Sequence, residues 1–384
     1  MLSKSIRLEG FKKKISSKKI KTIYKKLLNS KSEVLNSLSS NYHYSFNKKN
    51  LSKYKKNKYF RVIGMGGSTL GSQAIYDFLK HRIKKNFLFI DNLKLSQKNV
   101  KKNFTNLVIS KSGNTIETIV NANILIKNKD KNIFITEDKN SYLKLLANKL
   151  KAEIIDHNNF IGGRYSVLSE VGMLPAELMG LDSNKFKQIN SLIKNKQFEN
   201  SLLSNVAASL YYLKKKKFNS IIINYDEKSE NLFKWYQQLV AESLGKKNKG
   251  ILPIVSIMPR DNHSVMQLYL DGFKHNFFTF FYVKEKNSDR LFNNNILSAQ
   301  NYLKNKDVNK IIYAQKKATE NVFKKKNIPF RSFELDNRDE KSLGELFCFF
   351  ILETILIGRA LKIDPYNQPA VELIKKETKK LLVS

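Results

Sequence analysis

Nine short apolar runs, alternating with segments of helical pattern, restrict the fold of this 384-residue chain more than any other feature. They read YFRVIGM (59–65), NFLFIDN (86–92), NLVISKSG (106–113), NIFITED (132–138) and AEIIDHN (152–158), then FNSIIINY (218–225), ILPIVSIM (251–258), NFFTFFYV (276–283) and IPFRSFEL (328–335). Such alternation signals βαβ units, because parallel strands need a long crossover that a helix usually supplies. A helical stretch at about 167–213 parts the first five runs from the last four. The length also exceeds the roughly 250–300 residues at which a single core stops growing. The pattern therefore predicts an α/β chain of two sandwiches with mainly parallel sheets, joined by helices. Residues 1–54 read as a polar helical segment, 55–165 as the first α/β domain and 166–213 as connecting helices. Residues 214–340 read as the second α/β domain, and 341–384 as two closing helices at about 341–361 and 368–382.

Composition narrows the class of protein. Hydrophobic residues make up 41% and aromatic residues 11%, enough for two buried cores. The single cysteine, Cys348, excludes an internal disulfide framework or a thiolate metal site. The basic N-terminus lacks the apolar stretch of a secretory signal. The segment LFCFFILETILIG (346–358) is shorter than the roughly 20 residues a spanning helix needs, and it contains Glu353. A soluble, cytoplasmic protein without a membrane partner is expected. The formal charge of +37 raises nucleic-acid binding, but only nine of the 70 basic residues are arginine, the side chain that reads guanine edges. The lysines are spread along the whole chain, as on a solvated surface that attracts small anions. No nucleic-acid partner is expected.

Two strand-to-helix turns carry candidate anion sites. The first, FRVIGMGGSTLGSQAIYDFL, has glycines at 64, 66, 67 and 71. Bare backbone at a helix start favours a phosphate. The dinucleotide fingerprint fails here, since its third glycine falls on Thr69, although Asp91 mimics a ribose-binding acid. A nicotinamide enzyme and a plain tight turn both stay open. The second, LVISKSGNTIETI, gathers Ser110, Lys111, Ser112, Gly113, Thr115 and Thr118 at one helix start. Hydroxyls and backbone amides at a helix tip hold a dianion well. Asn114 with Glu117 three residues later resembles a capping box.

Four charged residues stand out further along. Helical spacing puts Trp235, Gln238 and Glu242 on one edge, where an aromatic wall would raise a carboxyl pKa towards neutrality; a surface glutamate is the plainer reading. His263 opens the pattern HSVMQLYLDG and reads equally as a capping residue. In QPAVELIKKETKKLL, Val371, Ile374, Leu381 and Leu382 mark an apolar face with Lys375 at its border, either facing an anion or snorkelling. Arg164 follows two glycines in GGRYS and suits either an oxyanion or a structural ion pair.

The loop SKSGNTIET resembles the phosphosugar loop of the sugar isomerase (SIS) domain, S-x-S-G-x-T-x-E-T. GGRYSVLSEVGMLPAELMG, AESLGKKNKG, DNHSVMQLYLDG and YNQPAVELIKKETKKLL are similar, in order, to segments of the phosphoglucose isomerase family, so the resemblance covers about 60–382. The first motif departs slightly, reading G-M-G-G-S for the commoner G-I-G-G-S, and the N-terminal region is short for the family. The resemblance implies two SIS-type three-layer α/β/α domains flanked by N- and C-terminal helices. It further implies reversible isomerisation of glucose 6-phosphate to fructose 6-phosphate through a cis-enediolate, a step of glycolysis and gluconeogenesis, with no metal or cofactor. On that basis Glu242 is the base, His263 and Lys375 open the ring, and Arg164 offsets the enediolate charge. Gly67, Ser68, Ser110, Lys111, Ser112, Thr115, Thr118, Gln238 and Gln368 would bind the sugar phosphate. In the family the histidine comes from a neighbouring subunit, which implies a homodimer. Mannose 6-phosphate as a second substrate, and a phosphosugar-sensing module without catalysis, are the nearest alternatives.

Overall fold

A computed structural model describes residues 2–95, 102–127 and 129–383. The chain opens with a strand, β1 (Ile6–Glu9), then α1 (Lys18–Leu28) and α2 (Glu33–Ser37). The nine apolar runs all form strands. The first lobe contains β2 (Tyr59–Gly64), α3 (Leu70–Phe78), β3 (Asn86–Ile90), β4 (Thr105–Ile109), α4 (Ile116–Leu125), β5 (Lys131–Thr136), α5 (Tyr142–Lys149) and β6 (Glu153–Asp156). Three helices follow: α6 (Glu170–Met179), α7 (Ile189–Leu192) and α8 (Lys196–Lys214). The second lobe contains β7 (Asn219–Asn224), α9 (Glu230–Leu244), β8 (Leu252–Ile257), α10 (Met266–Asp271), β9 (Asn276–Val283), α11 (Val308–Lys325) and β10 (Phe330–Leu335). Two helices close the described chain, α12 (Glu340–Ala360) and α13 (Pro369–Val383).

The first sheet runs β3-β2-β4-β5-β6, all parallel. Chain order reverses between β2 and β4, and the crevice beyond their carboxyl ends is where open α/β sheets bind ligands. The second sheet runs β1-β10-β9-β7-β8, parallel except for its first member. β4 and β9 are buried along their whole length, which is why their sequences read as continuous apolar runs instead of alternating ones.

Residues 1–54 differ from the expected helical segment. β1 pairs antiparallel with β10, with Ile6 opposite Leu335, and so belongs to the second sheet. Ile6 and Leu8 are buried while Arg7 and Glu9 face outward, an alternation only four residues long. The Ser3 hydroxyl, donating to the Glu345 carboxylate at 2.5 Å, ties this strand to α12. These partners lie at the far end of the chain, beyond the reach of any local pattern.

α12 is the central element. It is buried on every side and packs against both α8 and α9, as a helix apolar all round must. None of the described helices is long and apolar enough to cross a membrane. The Glu353 carboxylate on α12 pairs with the Arg331 guanidinium, Nη2 lying 3.0 Å from Oε2, and Arg331 Nε donates to Thr279 Oγ1 at 3.0 Å. Both charged side chains are almost wholly buried.

Removing one member of such a pair leaves the other charged and unpartnered. Glu353→Ala should therefore lower unfolding free energy by about 3–5 kcal/mol in urea titration, whereas Arg331→Met with Glu353→Leu should cost far less. Equal losses in the two variants would contradict this account.

Candidate active site

The glycines of the first turn serve packing against the protein itself. Gly66 has a left-handed backbone (φ +53°), and a Cβ there would lie 2.8 Å from Gln238 Nε2. A Cβ on Gly67 would fall 2.2 Å from the carbonyl carbon of Gly163. The 3₁₀ turn Gly66–Ser68 thus sits directly on a second 3₁₀ turn, Gly163–Leu168, backbone against backbone. Asp91, the ribose-like acid, instead accepts a hydrogen bond from Gln73 Nε2 at 2.9 Å.

That contact puts Arg164 inside the protein, 1% exposed. All five of its N–H groups find acceptors. Nε donates to Ser243 Oγ (2.9 Å), and Nη1 donates to Glu242 Oε2 (3.1 Å) and Gln368 Oε1 (2.7 Å). Nη2 donates to the carbonyls of Pro365 (2.7 Å) and Asn367 (3.1 Å). The other carboxylate oxygen of Glu242, Oε1, accepts from Gln238 Nε2 at 2.9 Å, one helical turn earlier. Glu242 is thereby fixed at both oxygens while its side chain stays 31% exposed. It lines an open cleft of about 750 Å³ together with Lys246, Asn367 and Gln368.

Trp235 does not form the expected wall. Its ring packs in the core, 4.8 Å from Phe347, because α9 turns its apolar stripe toward α12. The groups set against Glu242 are a guanidinium and an amide. Two further residues belong to the cluster and escaped sequence reasoning. Ser243 Oγ lies 2.8 Å from the Tyr165 hydroxyl, which donates to the Pro365 carbonyl at 3.1 Å. Burial pushes the Tyr165 phenol up to about 12, so it stays a neutral donor. Their only sequence signal was adjacency, Ser243 to Glu242 and Tyr165 to Arg164.

The hydroxyl-rich turn lies at the end of the neighbouring strand, since Gly64 of β2 pairs with Ile109 of β4. A Cβ on Gly64 would touch both the Ile109 carbonyl (2.8 Å) and Ser68 Cβ (3.0 Å), which sets Ser68 beside this turn. Ser110 Oγ and Thr115 Oγ1 are hydrogen-bonded at 2.9 Å, and Ser112 is exposed. Gly113 adopts φ +66° because a Cβ would meet Ser141 Oγ at 2.1 Å. The Thr118 hydroxyl is buried with no hydrogen-bond partner.

The capping box is corrected. Thr115 is the N-cap of α4 and makes no side-chain cap, while Asn114 Oδ1 accepts from the Tyr142 amide and so caps α5. The first-turn amides of α4 are left open for an anion, with Glu117 as an ordinary first-turn acid. Lys111 turns away from the loop: Nζ donates to the Asn159 carbonyl (2.7 Å) and lies 3.5 Å from Glu137.

Two expected residues are not brought to the cluster within one chain. His263 ends an exposed 3₁₀ turn, Arg260–His263, and α10 begins only at Met266, so the histidine precedes that helix instead of opening it. Lys375 is 61% exposed and paired with Glu372 at 2.7 Å. No residue of α13 is buried, and Val371, Ile374, Leu381 and Leu382 are 41–72% exposed. The inward-facing lysine therefore has no inside to face, because no described residue of α13 is buried.

Comparison with known proteins bears on this arrangement. The family model described as phosphoglucose isomerase matches residues 52–384. The chain is 35% identical over 353 residues to a glucose-6-phosphate isomerase of Methanocaldococcus jannaschii, covering 85% of this chain and 86% of that protein. In structure it is similar to a hypothetical protein of Thermus thermophilus (TM-score 0.83, 21% identity, 95% of each chain). It is also similar to a glucose-6-phosphate isomerase of Chlamydia trachomatis (TM-score 0.68, 18% identity, 87% of this chain and 72% of that one).

The backbone contact between the two turns makes Gly67 irreplaceable by the smallest side chain. Gly67→Ala should lower the unfolding free energy by about 1–3 kcal/mol, the cost of overpacking, and speed amide exchange in residues 163–168. Unchanged exchange there would show that the turns do not depend on this contact.

Proposed function

Since the chain belongs to the phosphoglucose isomerase family, we propose that it interconverts D-glucose 6-phosphate and D-fructose 6-phosphate as a cytoplasmic enzyme. The observation that carries this reading is a partly exposed carboxylate, Glu242, held at both oxygens beside a cleft. The phosphate would sit on the open amides of α4 with the hydroxyls of Ser110, Ser112, Thr115 and Thr118, a dianion on a helix tip. The buried, unpartnered Thr118 hydroxyl supports that assignment. Gly67, Ser68 and Gln368 would line the sugar, and Gln238 would orient the base. Lys111, expected to bind the phosphate, is bound instead to the Asn159 carbonyl beside Glu137 and is left out of the direct contacts in this reading.

Ring opening breaks the C1–O5 bond, with a proton leaving the C1 hydroxyl and one arriving at O5; His263 and Lys375 are the assigned carriers. Glu242 then takes the proton from C2 of the open aldose and returns it to C1 by way of the enediolate, while the hydroxyl proton on O2 passes to O1, so that the product is a C2 ketone with a C1 hydroxyl. Arg164 has no N–H left for substrate, so it acts by its charge and by holding Glu242.

A second copy of the chain supplies what one chain leaves apart. The exposed apolar stripe of α13 and the outlying His263 both support a homodimer whose sites are completed across the interface.

Purified protein should convert fructose 6-phosphate in a coupled assay, and Glu242→Gln should reduce kcat by on the order of 10²–10⁴. Retained turnover in that variant would remove the assigned base. Mixing the inactive Glu242→Gln and His263→Ala chains after dissociation should restore part of the activity, because one hybrid site keeps both groups; no recovery would argue for sites built from one chain.

A further inference from the structure

Immediately after α9 the chain makes a two-residue hairpin. Lys246 and Lys249 exchange backbone hydrogen bonds, each N–H to the other's carbonyl at 3.0 Å, and the two residues between them, Lys247 and Asn248, both have positive φ (53° and 55°). This is the geometry of a type I′ turn. It presents Lys246, just past the helix end, on the same cleft as Glu242. The Lys246 ammonium donates to the Asp364 carbonyl at 2.6 Å, and Lys249 donates to the Leu361 carbonyl at 3.1 Å.

The segment so fastened is the one that Arg164 also grips, through the Pro365 and Asn367 carbonyls and the Gln368 amide oxygen. Beyond Gln368 lies α13, none of whose described residues is buried. The segment is thus held from two sides by cations on different elements: Arg164 from the 163–168 turn, and Lys246 from the end of the helix that bears Glu242.

We propose that Lys246 is a positioning residue for proton transfer: it fastens residues 364–368 to the end of α9, and so sets Gln368 on Arg164 beside Glu242. The inference rests on the isomerase reading above. The charged groups around Lys246 are Arg164, Asp364 and Glu242, with Lys249 on its own turn. Partial burial, then the neighbouring Arg164, lowers its pKa below the ordinary lysine value, although Asp364 and Glu242 oppose this. The charged strap is therefore complete at neutral pH and lost, as pH rises, earlier than an ordinary lysine would lose it.

Three variants of the full chain test this. Lys246→Met should speed amide exchange at Ile363 and Tyr366, whose N–H groups are hydrogen-bonded, and lower kcat about 10–100-fold, with KM changed by less than about threefold. Lys246→Arg should keep most of kcat and move the alkaline limb of the kcat profile to higher pH, because a guanidinium stays charged. Lys234→Met, an equal charge change on the exposed side of α9 away from the cleft, should leave exchange and kcat near the parent values. Unchanged exchange in Lys246→Met, unchanged kcat, or an equal loss in Lys234→Met would each overturn the proposal. If the parent protein lacked isomerase turnover the functional reading would fail, and the exchange comparison would still decide whether the strap exists.

Discussion

A guanidinium can be buried only where each of its N–H groups meets an acceptor, and Arg164 meets this condition with acceptors from two stretches of chain remote from its own. Glu242 and Ser243 come from the end of one helix, Pro365, Asn367 and Gln368 from the segment before the last helix, and Arg164 itself from a turn between the lobes. None of these stretches packs tightly enough alone to fix a carboxylate. The burial of one cation obliges all of them to converge, and the cleft beside Glu242 exists because they do. Gly67 serves the same end, since its missing side chain lets the two turns touch beside the arginine.

This explains which parts of the molecule were readable in advance. Strands buried on both faces need contiguous apolar residues, so β2, β4, β5, β7, β9 and β10 announced themselves as apolar runs, and the half-exposed β3, β6 and β8 followed from their places in the alternation. β1 did not, because four alternating residues in a lysine-rich stretch become a strand only once β10 is in place to pair with them. The helix starting at Ile116 was readable, but the partner of Asn114 was not: its side chain serves α5, 28 positions on, a choice made by the packing of Gly113 under Ser141. Trp235 shows the same limit. Spacing put it on an edge with Glu242, and the demand of α12 for aromatic neighbours drew it into the core.

The site residues were legible as motifs rather than as physics. Nothing in AESLGKK says that a glutamate will be gripped by an arginine 78 positions earlier; the resemblance to a family supplied the two residues, and the structure supplied their pairing. Ser243 and Tyr165 stayed invisible because their task is to complete the shell of another residue. His263 and Lys375 fall into a third class. Their positions in the chain were readable, and in the single chain both side chains are exposed. The apolar residues of α13 are exposed as well, as the proposed second copy would require.

The two anion sites of the proposed reaction divide labour by charge type. The phosphate does not change charge between glucose 6-phosphate and fructose 6-phosphate, so whatever holds it holds substrate, transition state and product alike and lowers KM without raising kcat. Neutral hydroxyls and helix-tip amides suit that task, because they grip a dianion without the bidentate lock that an arginine would impose and that would slow product release. Lys111 fits this division, since its ammonium is turned toward the Asn159 carbonyl and Glu137. In that proposal charge develops only at the first two carbons, which Glu242 would span. Arg164 is costly to bury; held beside Glu242, it would concentrate electrostatic stabilisation on the one part of the substrate whose charge changes during the reaction.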